Sequence, residues 1–450
     1  MTLDRRAVLA GIAGAAVSGV APRAATAAQP LSASGLDAAQ FGVRAGAADD
    51  QSRVLQRAID QAAAQRLPLV LGPGTYLVTD LRLPAGAQLV GVRGASRLVL
   101  ARAGAIMSAE HADDVSLSGL SFDGRKIAVQ GRGLVSIFAS GNLRIRGCAV
   151  LQAGAHGISV DQVSGELSDN TVTDAADTAI FSQNARALLI TDNIVRGAGN
   201  GGIRIFRSDK GDDGTIVRGN RIEETSARGG GNGENGNAIN VFRAANVIVQ
   251  GNRIRKAAFS AIRGNAASNI IIEGNSCSDL GEVALYSEFA FEGAVIANNV
   301  VDGASAGVSV TNFDKGGRLA LVQGNIFRNI DQRAPATGAG GQGVGIAVEA
   351  DTAVTGNVVD NAASVGISLG FGQFLRDVTV TGNIVRSVPY GIGVSVVKGA
   401  GHAVISDNLI SGARRAAIVG MEWGKAVTGD LVKEGVGTYE QLTVSNNRMR

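Results

Sequence analysis

The sequence predicts an all-β fold: a right-handed, single-stranded parallel β-helix, or solenoid, with an N-terminal capping helix. Three observations predict it. A short motif containing one asparagine recurs along most of the chain, its copies hold short runs of alternating apolar residues, and aromatic residues make up only 4% of the 450 residues. Such a chain must fill its interior with small aliphatic side chains, which favours thin, repeated layers over one large core.

The recurring motif reads apolar-x-apolar-x-(Gly/Asp/Asn)-Asn-x-apolar, as in residues 247–254 and 378–385. Its asparagines lie 23 to 39 residues apart, so the shortest spacings define one coil and the longer ones contain insertions. Because an amide side chain both donates and accepts, asparagines stacked at one corner can hydrogen-bond along the axis. The same register places Leu120 and Cys148 in the asparagine position. The predicted ladder comprises Asn170, Asn193, Asn220, Asn252, Asn275, Asn299, Asn325, Asn357, Asn383, Asn408 and Asn447.

A second motif, Gly or Ala before an apolar residue, lies between successive asparagines, as in residues 157–160 and 202–205. Each coil therefore has at least two short strands, with alternate side chains inside and outside. No helix-length pattern separates the strands, which excludes βαβ units and favours a solenoid. We expect a signal peptide at 1–28, a capping helix with the first coils at 29–100, and the repeat domain at 101–450.

The first 28 residues predict export. Arg5 and Arg6 precede an apolar run over residues 7–21 and the small residues Ala27 and Ala28, which is the layout of a cleaved signal peptide. The paired arginines resemble a twin-arginine signal, which implies the twin-arginine export machinery as a partner. The run is shorter than the ~20 residues that span a bilayer, so we expect no transmembrane anchor after cleavage and a periplasmic or secreted protein.

Residues 41–43, 48–51 and 71–78 resemble the entry segment of pectin-lyase-like β-helix proteins. That resemblance implies that an amphipathic helix over 54–64 covers the open end of the first coil, with Asp50 as its cap. The twin-arginine start joined to this repeat also resembles an uncharacterised family of twin-arginine-translocated repeat proteins. The superfamily includes lyases, hydrolases, epimerases and proteins of no known activity, so the resemblance implies the fold and, as an expectation, contact with polysaccharide.

Composition argues against several kinds of partner. The net charge is only +3, and basic residues alternate with acidic ones instead of forming a stripe beside aromatic residues, so nucleic acid is not an expected partner. Cys148 and Cys277 lie five coils apart, roughly 24 Å at the spacing of paired strands, and cannot form a disulfide. Both thiols are expected to be buried, and neither zinc binding nor cysteine-nucleophile chemistry is predicted.

An alignment of the Gly-Ile strands gives the candidate site. Polar, aromatic and charged residues cluster in the outward columns between residues 156 and 288, whereas later coils carry mostly small or apolar ones. Arginines can bind a carboxylate or neutralise an enolate, carboxylates and histidine can act as acid or base, and aromatic rings can stack on sugars. The candidate catalytic residues are His156, Asp161, Asp177, Arg204, Arg263 and Glu288, and the candidate ligand-binding residues are Phe206, Asn240 and Tyr286.

These residues are compatible with several functions. The main hypothesis is a protein that contacts polysaccharide through this face; the alternatives are an active uronate lyase or epimerase and a non-catalytic structural protein of the cell envelope. The segment around His156 resembles polygalacturonase-type hydrolases, but that family's carboxylates have no counterpart upstream and Phe206 replaces its lysine, which disfavours hydrolysis. A solvated face with ion pairs between neighbouring coils explains the same pattern without a function.

Four insertions interrupt the repeat, at residues 208–214, 227–236, 331–343 and 424–441. Asp209, Asp212 and Asp213 in the first can hold calcium, although their spacing matches no established loop and a solvated turn is the stronger interpretation. No other cofactor is expected. The Gly-rich second insertion can form a flexible rim over a ligand, but it lacks the ending of a phosphate-binding loop.

Overall fold

The computed structural model describes residues 35–128, 133–231, 233–333, 342–437 and 439–450. Residues Gly35–Arg450 form one compact unit. The predicted signal peptide, with Arg5 and Arg6, lies outside the described residues. Within the described ranges, no helix is both long and apolar enough to cross a membrane.

The described chain winds into three parallel sheets, and each regular coil contributes one strand to each sheet. This arrangement confirms the predicted parallel β-helix. The strands pair in register from coil to coil, so every inward or outward position forms a column along the axis. The sequence predicted at least two strands per coil, and the structure has three because a turn divides the asparagine motif. In the coil at Ile248–Gln250, for example, Gly251 has a left-handed φ of 63° and the chain continues as Arg253–Ala257 in another sheet.

Sheet 1 contains 16 strands, and most of them carry the residues that precede a ladder asparagine. In spatial order these strands are Leu36–Asp37, Leu69–Leu71, Gln88–Gly91, Ser116–Ser118, Leu143–Arg146, Gly165–Ser168, Leu189–Thr191, Ile216–Arg218, Ile248–Gln250, Ile270–Glu273, Glu292–Ala297, Arg318–Gln323, Ala350–Thr355, Arg376–Thr381, Ala403–Ser406 and Leu442–Ser445.

Sheet 2 contains 15 strands, including those of the Gly-Ile motif, and carries the candidate site. Its last two strands form an antiparallel hairpin. In spatial order the strands are Leu81–Arg82, Met107–Glu110, Gly133–Phe138, His156–Asp161, Thr178–Gln183, Gly201–Asp212, Asn237–Ala245, Ile262–Asn265, Val283–Glu288, Ala306–Val310, Val344–Val348, Val365–Leu369, Tyr390–Ser395, Ala416–Glu422 and Lys425–Asp430.

Sheet 3 contains 15 strands, and most of them follow a ladder asparagine. In spatial order they are Gly74–Val78, Ser96–Leu100, Ser121–Asp123, Ala149–Leu151, Thr171–Thr173, Ile194–Arg196, Arg221–Thr225, Arg253–Ala257, Ser276–Ser278, Val300–Ala304, Ile326–Ile330, Val358–Ala362, Ile384–Arg386, Leu409–Ser411 and Arg448–Met449.

The helices are short and lie near the ends or in a connection. The α-helices are Ser52–Ala64 and Leu431–Glu434, and the 3-10 helices are Ala38–Phe41 and Phe313–Lys315. The apolar face of the first α-helix, including Leu55 and Ile59, is buried against the first coils. The prediction that Asp50 caps this helix was one residue off. Gln51 is the N-cap residue and makes no side-chain capping bond, whereas the Asp50 carboxylate accepts from the backbone N–H of Ser52, the first residue of the helix, at 2.8 Å.

Stacked asparagines join the coils through the interior. Asn275 Nδ2 donates to Asn299 Oδ1 at 3.0 Å and to the carbonyl of Val249 at 3.0 Å, while its Oδ1 accepts from the backbone and side chain of Asn252. The same pattern continues in both directions, from Asn170 to Asn447. Each buried amide is therefore satisfied by its neighbours, which is what burial of a polar group requires.

Both cysteines are buried and free. Cys148 takes the ladder position one coil before Asn170, and its backbone N–H donates to the Oδ1 of Asn170 at 2.9 Å. Burial raises the pKa of the Cys148 thiol to about 11 and of the Cys277 thiol to about 12. Thiols that stay protonated at neutral pH are poor nucleophiles, so these side chains act as core residues.

Candidate functional site

The outward face of sheet 2 holds most of the predicted site residues. Strand pairing places Arg204, Asn240, Arg263 and Tyr286 on four successive coils in one column. Phe206 and Glu288 lie two residues further along their strands, so they also point outward. Arg204 and Arg263 are separated by the coil of Asn240, which puts their strands roughly 10 Å apart.

His156, Asp177 and Arg204 form one cluster at the start of these strands. The His156 Nδ1 lies 3.6 Å from Asp177 Oδ2, and Arg204 Nη1 lies 3.6 Å from Asp177 Oδ1. Burial lowers the pKa of His156 and nearby Arg204 lowers it further, against the opposing effect of Asp177, so the imidazole is neutral at pH 7. Its Nδ1 accepts from the backbone N–H of Thr178 at 3.3 Å. The neutral ring therefore carries its proton on Nε2 and presents a donor at that atom.

Arg204 is almost completely enclosed by its own chain, with 4% of its surface exposed. Its Nη2 donates to Asn235 Oδ1 at 2.6 Å and to the carbonyl of Asn200 at 3.3 Å, and its Nη1 lies 3.7 Å from Glu234 Oε1. Asn235 and Glu234 belong to the Gly-rich insertion. A guanidinium that is desolvated and surrounded in this way is not presented to an external carboxylate.

The Gly-rich insertion covers the next coil as well. Asn240 Nδ2 donates to the carbonyls of Gly233 at 3.3 Å and Glu234 at 3.0 Å. A Cβ atom on Gly233 would lie 2.6 Å from the guanidinium nitrogens of Arg263, so the backbone of the insertion packs directly against that side chain. The described residues of 227–236 therefore form a cover over the arginines, where the sequence suggested a flexible rim.

Arg263, Glu288 and Tyr286 form a second cluster. Arg263 Nε donates to Glu288 Oε1 at 2.6 Å, its Nη2 also contacts this oxygen, and Asn265 Nδ2 donates to it at 2.9 Å. The Arg263 guanidinium lies 5.2 Å from the centre of the Tyr286 ring. Burial, and secondarily the charge of Glu288, raises the pKa of Tyr286. Glu288 is only 1% exposed, so it forms with Arg263 a buried ion pair on the outward face of the sheet.

Of the remaining predicted residues, Phe206 adjoins the first cluster, whereas Asp161 has a different partner. Asp161 is buried and accepts from Asn184 Nδ2 at 3.1 Å. Phe206 lies in a row of rings between Phe181 and Phe242, with centroid distances of 5.7 and 5.4 Å, and the Arg204 guanidinium lies 5.8 Å from the centre of its ring. The structure thus brings His156, Asp177 and Arg204 together and Arg263, Glu288 and Tyr286 together. It does not bring Asp161 to either cluster, and the roles assigned to all of them stay predictions.

A groove of about 450 Å³ lies over the later coils of sheet 2, which the sequence marked as plain. It runs from Tyr286 past Ala347 and Ser368 to Met421. The small outward residues are the reason for it, because they leave depth between bulkier rims. The sequence signal is therefore present, since the later coils carry mostly small outward residues, but small residues alone do not indicate a groove.

The groove has one carboxylate in its lining and aromatic residues at both ends. Glu349 lines it, and its carboxylate accepts from the backbone N–H of Phe313 at 2.7 Å. Burial raises the pKa of Glu349, and neighbouring Asp314 raises it further. At the far end, Phe371 and Trp423 pack edge to face with ring centroids 5.3 Å apart. Sequence reasoning missed Glu349, Phe371 and Trp423 as site residues.

The calcium hypothesis concerns the insertion beside the first cluster. Asp213 is buried and accepts from the hydroxyl of Thr215 at 2.5 Å, whereas Asp212 accepts from Asn246 Nδ2 at 2.7 Å. Among the residues that the structure describes, no group of three or more His, Cys, Asp or Glu side chains is arranged to hold a metal. Calcium binding by Asp209, Asp212 and Asp213 stays a prediction.

Comparison with known proteins agrees with the architecture. The model of the family described as right handed beta helix region matches residues 103–222, 156–327 and 210–385. The chain therefore belongs to the right-handed β-helix family. No curated protein matches the chain significantly.

Several solved structures are similar to this chain at low sequence identity. An N-terminal fragment of gene product 12 of bacteriophage phi29 is 13% identical, with 85% of this chain and 68% of that chain covered and a TM-score of 0.48. The surface adhesin PfbA of Streptococcus pneumoniae is 16% identical, with 86% and 100% covered and a TM-score of 0.47. The A-module of the mannuronan C-5 epimerase AlgE6 of Azotobacter vinelandii is 15% identical, with 92% and 99% covered and a TM-score of 0.41.

Proposed function

We propose that this protein is exported and binds polysaccharide along the outer face of sheet 2. The observation that carries the proposal is the groove of about 450 Å³ over the later coils, the size and concave form expected of a ligand site. It is built on paired strands, which hold its lining in fixed register. A groove that runs across several coils suits an extended polymer better than a compact metabolite.

Binding is favoured over catalysis because the reactive side chains are engaged within the chain. Arg204 is enclosed by the Gly-rich insertion, and Arg263 is neutralised by Glu288. A uronate carboxylate would have to displace an internal partner to reach either guanidinium. Breaking a buried pair in this way leaves a desolvated charge behind and is costly.

The binding proposal is tested by retention of the chain from residue 29 onward on immobilised polysaccharides. We expect saturable retention on at least one neutral or charged polymer. Ser368→Trp should abolish retention because the new ring fills the groove. Ser276→Trp, at an exposed outward position of sheet 3, is the matched control and should bind normally. Loss of retention in both variants, or in neither, would contradict the proposal.

A second candidate, a uronate lyase or epimerase, is favoured by the cluster of His156, Asp177 and Arg204. The cluster places a neutral imidazole, a carboxylate and a guanidinium within 3.6 Å contacts of one another. Incubation with uronate polymers should then give an unsaturated product or an altered epimer ratio, and Arg204→Ala should abolish either. Unchanged polymers across a panel of uronates would exclude this candidate without affecting binding.

Export is tested separately. If Arg5 and Arg6 form a twin-arginine signal, their replacement by lysine should retain the chain in the cytoplasm. A reporter fused after residue 28 measures this directly, and export that persists in the double variant would contradict the twin-arginine proposal.

A further inference from the structure

Trp423 lies at a position where its backbone conformation disfavours it. It forms, with Gly424, the two-residue turn of the hairpin between Ala416–Glu422 and Lys425–Asp430. Both turn residues have left-handed φ angles, 50° at Trp423 and 80° at Gly424. Asn, Asp and Gly are the residues that such turns favour, and a bulky residue there is a steric outlier. The turn itself does not explain a tryptophan at this position.

The ring is also exposed, with 52% of Trp423 accessible to solvent. It packs edge to face on Phe371, which is 50% exposed. Gly372 makes this arrangement possible, because a Cβ atom there would clash with the Trp423 ring. The carbonyl of Gly372 is in turn held by the Ser395 hydroxyl. Two large apolar rings are thus fixed side by side on the surface, which is the signature of a contact surface.

The aromatic pair and the groove form one feature. Phe371 and Gly424 both line the groove, so the pair stands at its end. Tyr286 lies at the opposite end, three coils earlier in the column of Ser309, Ala347 and Ser368. At the spacing of paired strands, three coils cover roughly 14 Å. The two aromatic ends are therefore separated by more than one sugar ring.

Charge narrows the ligand further. Of the described residues that line the groove, Glu349 is the only one with a carboxylate side chain, and none is arginine or lysine. The polar lining is otherwise made of hydroxyl and amide groups, such as Ser309, Thr311, Ser364 and Gln342. These groups suit a ligand rich in hydroxyls. A carboxylate without a basic partner repels polyanions, and the low-dielectric walls of a groove strengthen that repulsion.

We infer that the groove binds an oligosaccharide stretch of an uncharged glycan, with Phe371 and Trp423 as the platform for a sugar ring. This inference rests on the proposed binding function and specifies its ligand class. The C–H face of a sugar packs on the exposed aromatic surface, and the hydroxyls pair with the polar lining. Polyuronates are excluded because Glu349 faces them and no described lining residue offers a compensating cation.

The sole tryptophan of the chain makes the experiment direct. Its fluorescence is followed while neutral oligosaccharides, such as cello- and manno-oligosaccharides, or oligogalacturonate and oligomannuronate are added at neutral pH. We expect a saturable change in emission with at least one neutral oligomer and none with the uronates. The change should need a chain of several sugars, because a single sugar cannot reach both ends of the groove.

Two variants and one control variant test the assigned residues while Trp423 stays in place as the reporter. Phe371→Ala should weaken neutral-oligosaccharide binding about tenfold, as expected when an aromatic anchor is removed. Phe289→Ala, an exposed phenylalanine outside the groove lining, should bind like the parent protein. Glu349→Gln should admit uronate oligomers, with an affinity that falls as salt is added. Circular dichroism confirms that each variant keeps its β structure.

The outcomes separate the ligand class from the function. Uronates that bind as well as neutral oligomers, or neutral binding that Phe371→Ala leaves unchanged, would overturn the inference while polysaccharide retention still supports the proposed function. A third outcome is that no saccharide alters the emission but immobilised polymers still retain the chain in a Ser368-dependent manner. The assignment of Phe371 and Trp423 as the sugar platform would then be wrong, while binding along the outer face of sheet 2 would still be supported. Loss of both signals would overturn both.

Discussion

The two halves of the outer face of sheet 2 differ in what their side chains are free to do. From His156–Asp161 to Val283–Glu288 the face carries arginines, carboxylates and aromatic rings, most of which contact one another. The Gly-rich insertion covers Arg204, Asn240 and Arg263, and Tyr286 on the last of these strands begins the groove. From Ala306–Val310 to Ala416–Glu422 the outward residues are mostly small, and the face is open as a groove. A high density of polar residues is therefore a poor guide to an accessible site on this fold.

The scaffold beneath the two halves is the same. Asn193 in the first half and Asn383 in the second each donate to a backbone carbonyl and to the next asparagine, at 2.9 to 3.0 Å. The contrast therefore arises only from outward residues and insertions. Four changes test this view, in order of decreasing expected effect.

The largest effect is expected for Arg263→Ala in the covered half. Removal of the guanidinium leaves Glu288 buried without its main partner, which should lower the free energy of unfolding by about 3–5 kcal/mol. Chemical denaturation followed by circular dichroism measures the loss. Arg253→Ala, at an exposed outward position of sheet 3, is the matched control and should lower it by less than about 0.5 kcal/mol. A small loss in Arg263→Ala would show that the pair does not stabilise the covered half.

The next effect should be equal in the two halves. Asn193→Ala and Asn383→Ala each remove an amide that satisfies a backbone carbonyl and a backbone N–H of neighbouring coils. We expect each to lower the free energy of unfolding by about 3 kcal/mol, because buried polar groups lose their partners. Losses that differ strongly between the two variants would mean that the scaffolds, and not only the outer faces, are different.

Most of the fold could be predicted from the sequence because the repeat consists of residues with a structural role in every coil. The ladder asparagines and the Gly-Ile strands lie in consecutive coils at the expected register. The third strand of each coil was harder to predict, since it shares one motif with the strand before it. The helix cap was misplaced by one residue because the preference of caps for aspartate favoured Asp50 over its neighbour Gln51, which occupies the N-cap position.

The site was less predictable because its features depend on side-chain partners. The alignment put Arg204 and Arg263 in one outward column correctly. It could not show that Asn235 binds the guanidinium of Arg204 and that Glu288 binds the guanidinium of Arg263. The Gly-rich insertion that contains Asn235 has no periodicity from which its path can be predicted. The groove was missed for the opposite reason, because it is formed where Ser309, Ala347 and Ser368 carry only small side chains.

A smaller effect is expected from opening the cover. Gly233 has a φ of 101°, and a Cβ atom would meet the Arg263 guanidinium. Gly233→Ala should therefore displace the insertion and lower the free energy of unfolding by about 1–3 kcal/mol. Limited proteolysis should cut near residues 227–236 faster than in the parent protein. Gly230→Ala is the control, because it lies in the same insertion with a φ of 92° and open space around its Cβ position. Equal cleavage of both variants would mean that backbone strain from the new alanine opens the insertion. The contact with Arg263 would then not be what holds it in place.

The smallest effect is a difference in how the stability contributions of Glu349 in the groove and His156 in the covered half depend on pH. Burial raises the pKa of Glu349 above its ordinary 4.5, so the folded protein holds this proton more tightly than the unfolded chain. Its contribution to stability is present below pH 4.5 and is lost as the pH rises through the raised pKa. Burial lowers the pKa of His156 below 6.5, so the contribution of His156 is lost in the opposite direction, as the pH falls from 6.5 through the lowered pKa.

Glu349→Gln should therefore stabilise the protein relative to the parent at neutral pH, and this gain should disappear below pH 4.5. His156→Gln should stabilise the protein relative to the parent only below pH 6.5. Denaturation midpoints measured across pH 4 to 8 compare the two variants with the parent, over the range in which these groups titrate. Both differences are expected to be smaller than that of Gly233→Ala, because neither change displaces the backbone. Parallel pH profiles for the two variants would mean that the groove and the covered cluster respond to one shared titration, and the division of the face into two independent halves would fail.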